Sequence, residues 1–392
     1  MKKATVTMMA VITVSLLNAK TTVQTAITDI ERNNITLKAL RKACDAEKIG
    51  NATGNYLEDP EVEFSYSWGS PADIGTRQDI SVTQSFDIPT ILGKKRKVAE
   101  MKNEMAEWQY RADRMNILLE ARLLLIDMVY YNKMLLELAK RKTSAQAIMD
   151  AQKLRLDKGD GNILEYNNAR MMFSTVEVET EQMETERNAV HSQLVRLNGG
   201  SDVTVDLYEF EPISLPLDFS EWFERKAETI PALAYMASST ALSKKELSVA
   251  KAMRFPAVSI GYVRENTLGQ YYHGVSVGMS IPLWNRKNTV RQAKVAAEAA
   301  QYRQDNAVSQ YRGQLEVLYN RTSGLRKTVE EYRLMLRETS SEALLAKALD
   351  AGEISVIEYS VQMGAYYELA DKALAAEREC QKAFAELTAM EW

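Results

Sequence analysis

The sequence predicts a mainly α-helical chain with a membrane β-barrel part, in which long helices form a coiled-coil barrel and four strands gather at one end. Three observations predict it. Two stretches, 93–157 and 286–350, run without proline and almost without glycine. Two pairs of short segments alternate apolar residues with small or polar ones. The second half of the chain also repeats the first in register, which makes the fold an internal tandem structural repeat.

The 392 residues carry a net charge of −4, which argues against a nucleic-acid partner. Glycine (17) and proline (8) are scarce, a bias that favours long helices. The two cysteines, Cys44 and Cys380, form no metal-type or redox-type pattern. Met1-Lys2-Lys3 precedes an apolar run from Ala4 to Leu17, and 1–19 reads as a secretory signal peptide. No later stretch reaches the roughly 20 apolar residues that a membrane helix requires. Any membrane contact must then be made by strands.

The duplication fixes the architecture. Pro60-Glu61-Val62-Glu63-Phe64-Ser65-Tyr66 aligns with Pro256-Ala257-Val258-Ser259-Ile260-Gly261-Tyr262, 196 residues further on, and Leu37 aligns with Leu233. After the strands the offset becomes 193, matching Ile88-Pro89 with Ile281-Pro282. It then holds without a gap through Lys94 and Lys287, Asp157 and Asp350, Gly159 and Gly352, and Glu165-Tyr166 and Glu358-Tyr359. The first repeat takes in 20–219 and the second 220–392.

Each repeat opens with a helix, 21–50 and 221–251, the second kinked or broken by Pro231. Strand pairs follow at 61–89 and 256–282. Val275, Val277, Met279 and Ile281 alternate with Gly274, Ser276, Gly278 and Ser280, and the first copy repeats the pattern through Ile80, Val82, Phe86 and Ile88. Period-two alternation means strands with one apolar face, although a soluble half-buried sheet would look similar. Trp68, Trp284, Tyr271 and Tyr272 stand near strand ends, where aromatic girdles would fall.

The long helices 93–157 and 286–350 would each span about 95–100 Å. In the first, Val98, Met101, Met105, Trp108, Ala112, Met115 and Leu119 recur at alternating three- and four-residue steps, a coiled-coil seam. Both helices end at a glycine turn. Asn162-Ile163-Leu164-Glu165 and Ser355-Val356-Ile357-Glu358 then read as N-cap followed by the acid of a capping box. Return helices follow at 163–198 and 356–391, with an equatorial segment at 199–220. On the second return, Tyr359, Met363, Tyr366, Ala370, Ala373, Cys380, Phe384 and Leu387 keep the seam, interrupted only by Glu377. The lengths suggest that 163–198 stacks end to end with 221–251, and that the C-terminal helix stacks likewise on the N-terminal one.

Four strands cannot close a barrel, and open edges are not tolerated in lipid. Two chains would give about eight strands around a plugged interior, and three about twelve around a water-filled lumen. The doubled strand pair ending in Phe86-Asp87-Ile88-Pro89 and Met279-Ser280-Ile281-Pro282, the signal peptide, and tips with glycine followed six residues later by an acid together resemble the TolC family. Within it the chain is similar to outer-membrane components of resistance-nodulation-division pumps, including the heavy-metal efflux branch.

That resemblance implies a homotrimer with a 12-stranded barrel in outer-membrane lipid, and an α-helical tunnel in the periplasm of a Gram-negative bacterium. It implies docking on a periplasmic adaptor that bridges to an inner-membrane efflux pump. Carried over, the adaptor-binding tips are Gly159, Asn162 and Ile163 in one copy and Gly352, Ser355 and Val356 in the other. The pore-gate candidates are Glu165 and Glu358, which equally read as capping acids. Ile354, where family members carry a basic residue, and Val361, in place of a second acid, speak against a salt-bridged lock of the usual kind.

No enzyme constellation emerges, and no cofactor or metal is expected. His191 lies on a return helix at the position matching Phe384, and His273 lies near a predicted outer loop. Lys94-Lys95-Arg96-Lys97 reads as a solvated face or a contact for lipid phosphates. Two competing readings remain: a secreted coiled-coil scaffold without a channel, and an exit duct for type I protein secretion.

Overall fold

The structure is a computed structural model and describes residues 23–86, 89–203, 205–282, 284, 287–339 and 342–391. The expected signal peptide at 1–19 lies outside the described residues. In the first repeat, α1 (Val23–Asn33) and α2 (Ile35–Ala52) lead into β1 (Glu61–Trp68) and β2 (Thr76–Phe86), followed by α3 (Pro89–Asp157) and α4 (Ile163–Leu197). The second repeat follows the same order. It has α5 (Phe219–Lys226), α6 (Pro231–Ala252), β3 (Ala257–Thr267), β4 (Gln270–Ser280), α7 (Thr289–Glu338), α8 (Glu342–Asp350) and α9 (Val356–Leu387).

α3 is unbroken for 69 residues, or about 100 Å. Pro89 opens it, where a missing N–H costs nothing. Its counterpart is not continuous: the helix expected at 286–350 ends at Glu338, with Thr339 as its cap, and resumes at Glu342. Thr339 favours the stop, because a short hydroxyl side chain competes for backbone partners. The Thr339 hydroxyl donates to Met335 O at 2.7 Å.

The first helix is also divided, at a point the sequence did not reveal. Asn34 is buried with ψ 120°, outside the helical range. Its Oδ1 accepts from Leu37 N at 2.8 Å, and its Nδ2 donates to Leu197 O, also at 2.8 Å. One amide thus caps α2 and binds the end of α4. Asn33 donates to Asn198 Oδ1 at 2.9 Å beside it. In the second repeat the corresponding break falls at Ile230-Pro231, and Ile230 is fully buried.

These contacts correct the expected stacking. α4 ends against α1 and α2 of its own repeat, where Leu194 and Leu197 share a core with Ile27, Ile30 and Leu37. α9 ends against α5 and α6, where Leu387 packs with Phe219, Phe223, Ile230 and Leu233. The end of α4 is tied to α2 by the Asn34 amide on Leu197 O and by the core it shares with α1 and α2. Each repeat therefore builds its own composite helix. Val203 and Val205, from the extended segment after α4, fill the same core. Asn132 holds that segment by donating to Val205 O and Leu207 O at 3.1 and 3.0 Å.

Of the α3 seam residues, Met115 is buried and the rest are half-buried. The fully enclosed stripe is a neighbouring one through Ala99, Ala106, Leu118, Ala121, Leu125 and Met128, since α3 is flanked on more than one side. On α9, Tyr359, Met363, Ala373, Cys380 and Leu387 are buried. Cys380 donates weakly to Thr322 O at 3.8 Å, and burial pushes its thiol up to about 11. Glu377, the break in that seam, is bound by Arg333 of α7 and by Lys133 of α3 at 3.5 Å.

Candidate functional site

The four strands form one antiparallel sheet in the order β1-β2-β3-β4, so β1 and β4 are both open edges. The register sorts side chains by face. Phe64 opposes Ile80, Val82 opposes Val62 and Tyr262, and Ile260 opposes Val277. All of these lie on one face, and all are exposed, Val277 at 75%. The other face carries Glu63, Ser65, Asp79, Ser81, Ser259 and Ser276 at the intervening positions. Arg77 bridges Asp79 at 2.9 Å and Glu265 at 3.1 Å there.

Aromatic residues bracket the apolar face. Tyr66, Trp68 and Tyr271 stand towards the turns, and Tyr56, Phe255 and Trp284 stand exposed at the helix-proximal end. Eleven-residue strands extend ~36 Å, and a tilt near 40° reduces this to a height of roughly 28 Å. That matches the ~25 Å apolar band of a membrane barrel. Among the described helices, none is long and apolar enough to cross a membrane.

At the opposite end of the molecule the two tips share one turn geometry. Gly159 and Gly352 adopt φ of 82° and 70°. Asp160 N donates to Arg155 O at 3.1 Å, and Glu353 N donates to Ala348 O at 2.9 Å. Gly159 N and Gly352 N each donate to a carbonyl three residues back, at 3.0 Å. This is the paired-bond helix ending that requires a left-handed residue.

After the turn the copies diverge. Ser355 and Glu358 form the reciprocal capping box: Glu358 N donates to Ser355 Oγ at 3.2 Å, and Ser355 N donates to Glu358 Oε2 at 2.8 Å. Bonds from the Ser355 backbone and hydroxyl hold the Glu358 carboxyl below its usual range. In copy one Asn162 caps Leu164 N at 2.9 Å, and no box forms. Glu165 lies instead 3.9 Å from Arg155, half-buried beside a cavity of about 690 Å³ between the two tips. Ile163 is 53% exposed, whereas Val356 is 1% exposed. Val356 is buried in the single chain and lines that cavity.

A feature the sequence did not disclose joins the repeats. Between repeats, α3 and α9 share apolar contacts, such as Met134 and Leu138 with Leu374, and add a row of ion pairs: Asp127 with Lys382 at 2.7 Å, Lys133 with Glu377, and Arg141 with Asp371 at 2.5 Å. The Arg141–Asp371 pair is bidentate, with a second bond of 3.0 Å, and the guanidinium sits 4.3 Å from the Tyr367 ring. Burial works most strongly against the Arg141 charge, but its hydrogen bond to Asp371 and the charges of Asp371, Tyr367 and Glu179 together outweigh this, so its pKa is raised. Nearby Glu179 is also raised, by desolvation and then by the Asp371 charge. Partners 230 residues apart leave no local signal. His191 pairs with Asp202 at 3.0 Å on the surface.

No family model matches the chain, and no curated protein matches it in sequence. Solved structures do match in fold. A membrane protein from Pseudomonas aeruginosa superposes with a TM-score of 0.78 at 12% identity, over 94% of this chain and 89% of that one. The CmeC outer membrane channel of Campylobacter jejuni gives 0.75 at 11% identity, over 94% and 85%. The open state of the MtrE outer membrane channel of Neisseria gonorrhoeae gives 0.73 at 13% identity, over 94% and 88%. The architecture of this chain is that of such channels.

Proposed function

We propose that the chain is one protomer of a homotrimeric outer-membrane channel, the passive exit duct of a tripartite efflux system for small molecules or metal ions. The sheet carries the reading. One face is apolar and uncovered, both edges lack partners, and an isolated sheet of this kind is stable neither in water nor in lipid. β1 and β4 run antiparallel to each other, so β4 of one copy pairs antiparallel with β1 of the next. Twelve strands close a ring wide enough for a lumen. The fold likeness to outer-membrane channels supports the same assembly, with the helices extending into the periplasm.

Membrane fractionation tests this directly. The protein is expected in the outer membrane as an oligomer that resists heating in detergent and passes current in planar bilayers. A soluble elongated dimer would favour the scaffold. Within the duct, Glu165 is the stronger gate candidate, because Glu358 is engaged in its cap. Glu165→Ala is expected to raise conductance or weaken cation preference. Current and selectivity identical to wild type would leave Glu165 without a gating role.

The tips Gly159, Asn162, Ile163, Gly352 and Ser355 are the surface offered to a periplasmic adaptor, which links the duct to an inner-membrane pump. Gly352 has open space around it, so Gly352→Val acts through the backbone: a β-branched residue at φ 70° costs about 1–2 kcal/mol. The turn reshapes, and efflux is expected to fall while trimers persist. Normal efflux from this variant would count against the tip assignment.

A further inference from the structure

The two faces of the sheet divide its charges unequally. The strand carboxylates Glu61, Glu63, Asp79 and Glu265 all occupy polar-face positions, as does Arg77. The apolar face carries one formal charge, Arg264, which opposes His273 across β3 and β4. Glu265 is adjacent in sequence but points to the other face and is held by Arg77. Among the described residues, no carboxylate stands within ion-pair distance of Arg264.

The surroundings of Arg264 are organised. Its guanidinium lies 4.7 Å from the centroid of the Tyr271 ring. Tyr262 Oη and His273 Nδ1 are 2.5 Å apart, and their rings stack at 6.1 Å. All four side chains are exposed. Arg264 is three residues from the end of β3, roughly 10 Å along the strand from the turn. Towards the helices the same face continues as Ile260, Val277, Val258 and Met279, with no further charge. A cation resting on one tyrosine, with a second tyrosine beside the neighbouring histidine, directly above an apolar band has the layout of a bilayer interface.

We infer that Arg264 and His273 bind the phosphate of an anionic lipid packed against the turn end of the sheet, an inference that rests on the bilayer placement proposed above. A guanidinium lying flat on Tyr271 keeps its donor edge outward, in the fork geometry that meets two phosphate oxygens. When Tyr262 donates to Nδ1 of His273, the proton sits on Nε2 as an additional outward donor. A free phosphate ion would satisfy the charge and leave the apolar surface below bare. A lipid covers both, since its acyl chains lie against Ile260 and Val277 while its headgroup reaches Arg264.

Spin-labelled lipids test this on the full-length protein in phosphatidylcholine vesicles. Electron spin resonance reads the motionally restricted lipid shell and the preference within it for phosphatidic acid over phosphatidylcholine. The wild type is expected to prefer the anionic probe about five-fold. Arg264→Gln should bring that preference close to one, and Arg264→Lys should retain part of it. Inorganic phosphate added to the buffer should leave it in place. A normal shell without headgroup preference, an undiminished preference in Arg264→Gln, or a preference erased by inorganic phosphate overturns the site alone. Absence of any restricted shell overturns the bilayer placement and the site together.

Discussion

Val277→Arg should abolish the heat-resistant oligomer, while Gly274→Arg on the same strand leaves it intact. Val277 is central in the apolar face, opposite Ile260. An arginine near the middle of the hydrocarbon costs about 2–4 kcal/mol in a barrel wall, and a trimer incurs that cost three times. Gly274 belongs to the polar face, where an added side chain meets open space. The contrast is diagnostic because Val277 is already 75% exposed in the single chain. Were that face in water, either arginine would change stability by about 0.5 kcal/mol or less. Equal tolerance of the two variants in an oligomer-retention assay would remove the membrane reading of this face.

Asp371→Asn should loosen α9 from α3. The Arg141 side chain is 6% exposed, so its charge depends on Asp371 rather than on water. Breaking a fully buried pair costs about 3–5 kcal/mol; Asp371 is 38% exposed, and this reduces the expectation to about 1–2 kcal/mol. A lower thermal midpoint is expected, read by thermal denaturation of the intact protein. Adding Arg141→Met should recover most of the lost stability, since the unpaired charge is then gone. If the midpoint is unmoved by Asp371→Asn, the pair is not a clasp.

Much of the fold was legible in the chain because it is written twice. Matching offsets brought out the repeat, and period-two alternation brought out the faces of the strands. Arg264 belongs to the same parity as Val258, Ile260 and Tyr262, so its unusual position on the apolar face is legible in the sequence. Other features had no local signal. Asn34 sits in a helix-compatible stretch, and the carbonyl of Leu197, far along the chain, joins its local cap on Leu37 in holding the break. The stacking of composite helices rests on that same distant contact, a fact of three dimensions. Glu165 and Glu358 occupy matching positions, yet only the serine copy closes the capping box. Asparagine at the other N-cap reaches Leu164 instead.

The two bare strand edges carry a thermodynamic consequence. In the proposed assembly a lone chain has no finished native state in a bilayer, because its outermost strands have nothing to bond until neighbours arrive. Folding and association are then a single equilibrium, and its balance scales with the cube of the protomer concentration. Dilution would weaken such a wall as surely as heat, and under the proposed function a cell making too little of this protein would make disproportionately fewer pores.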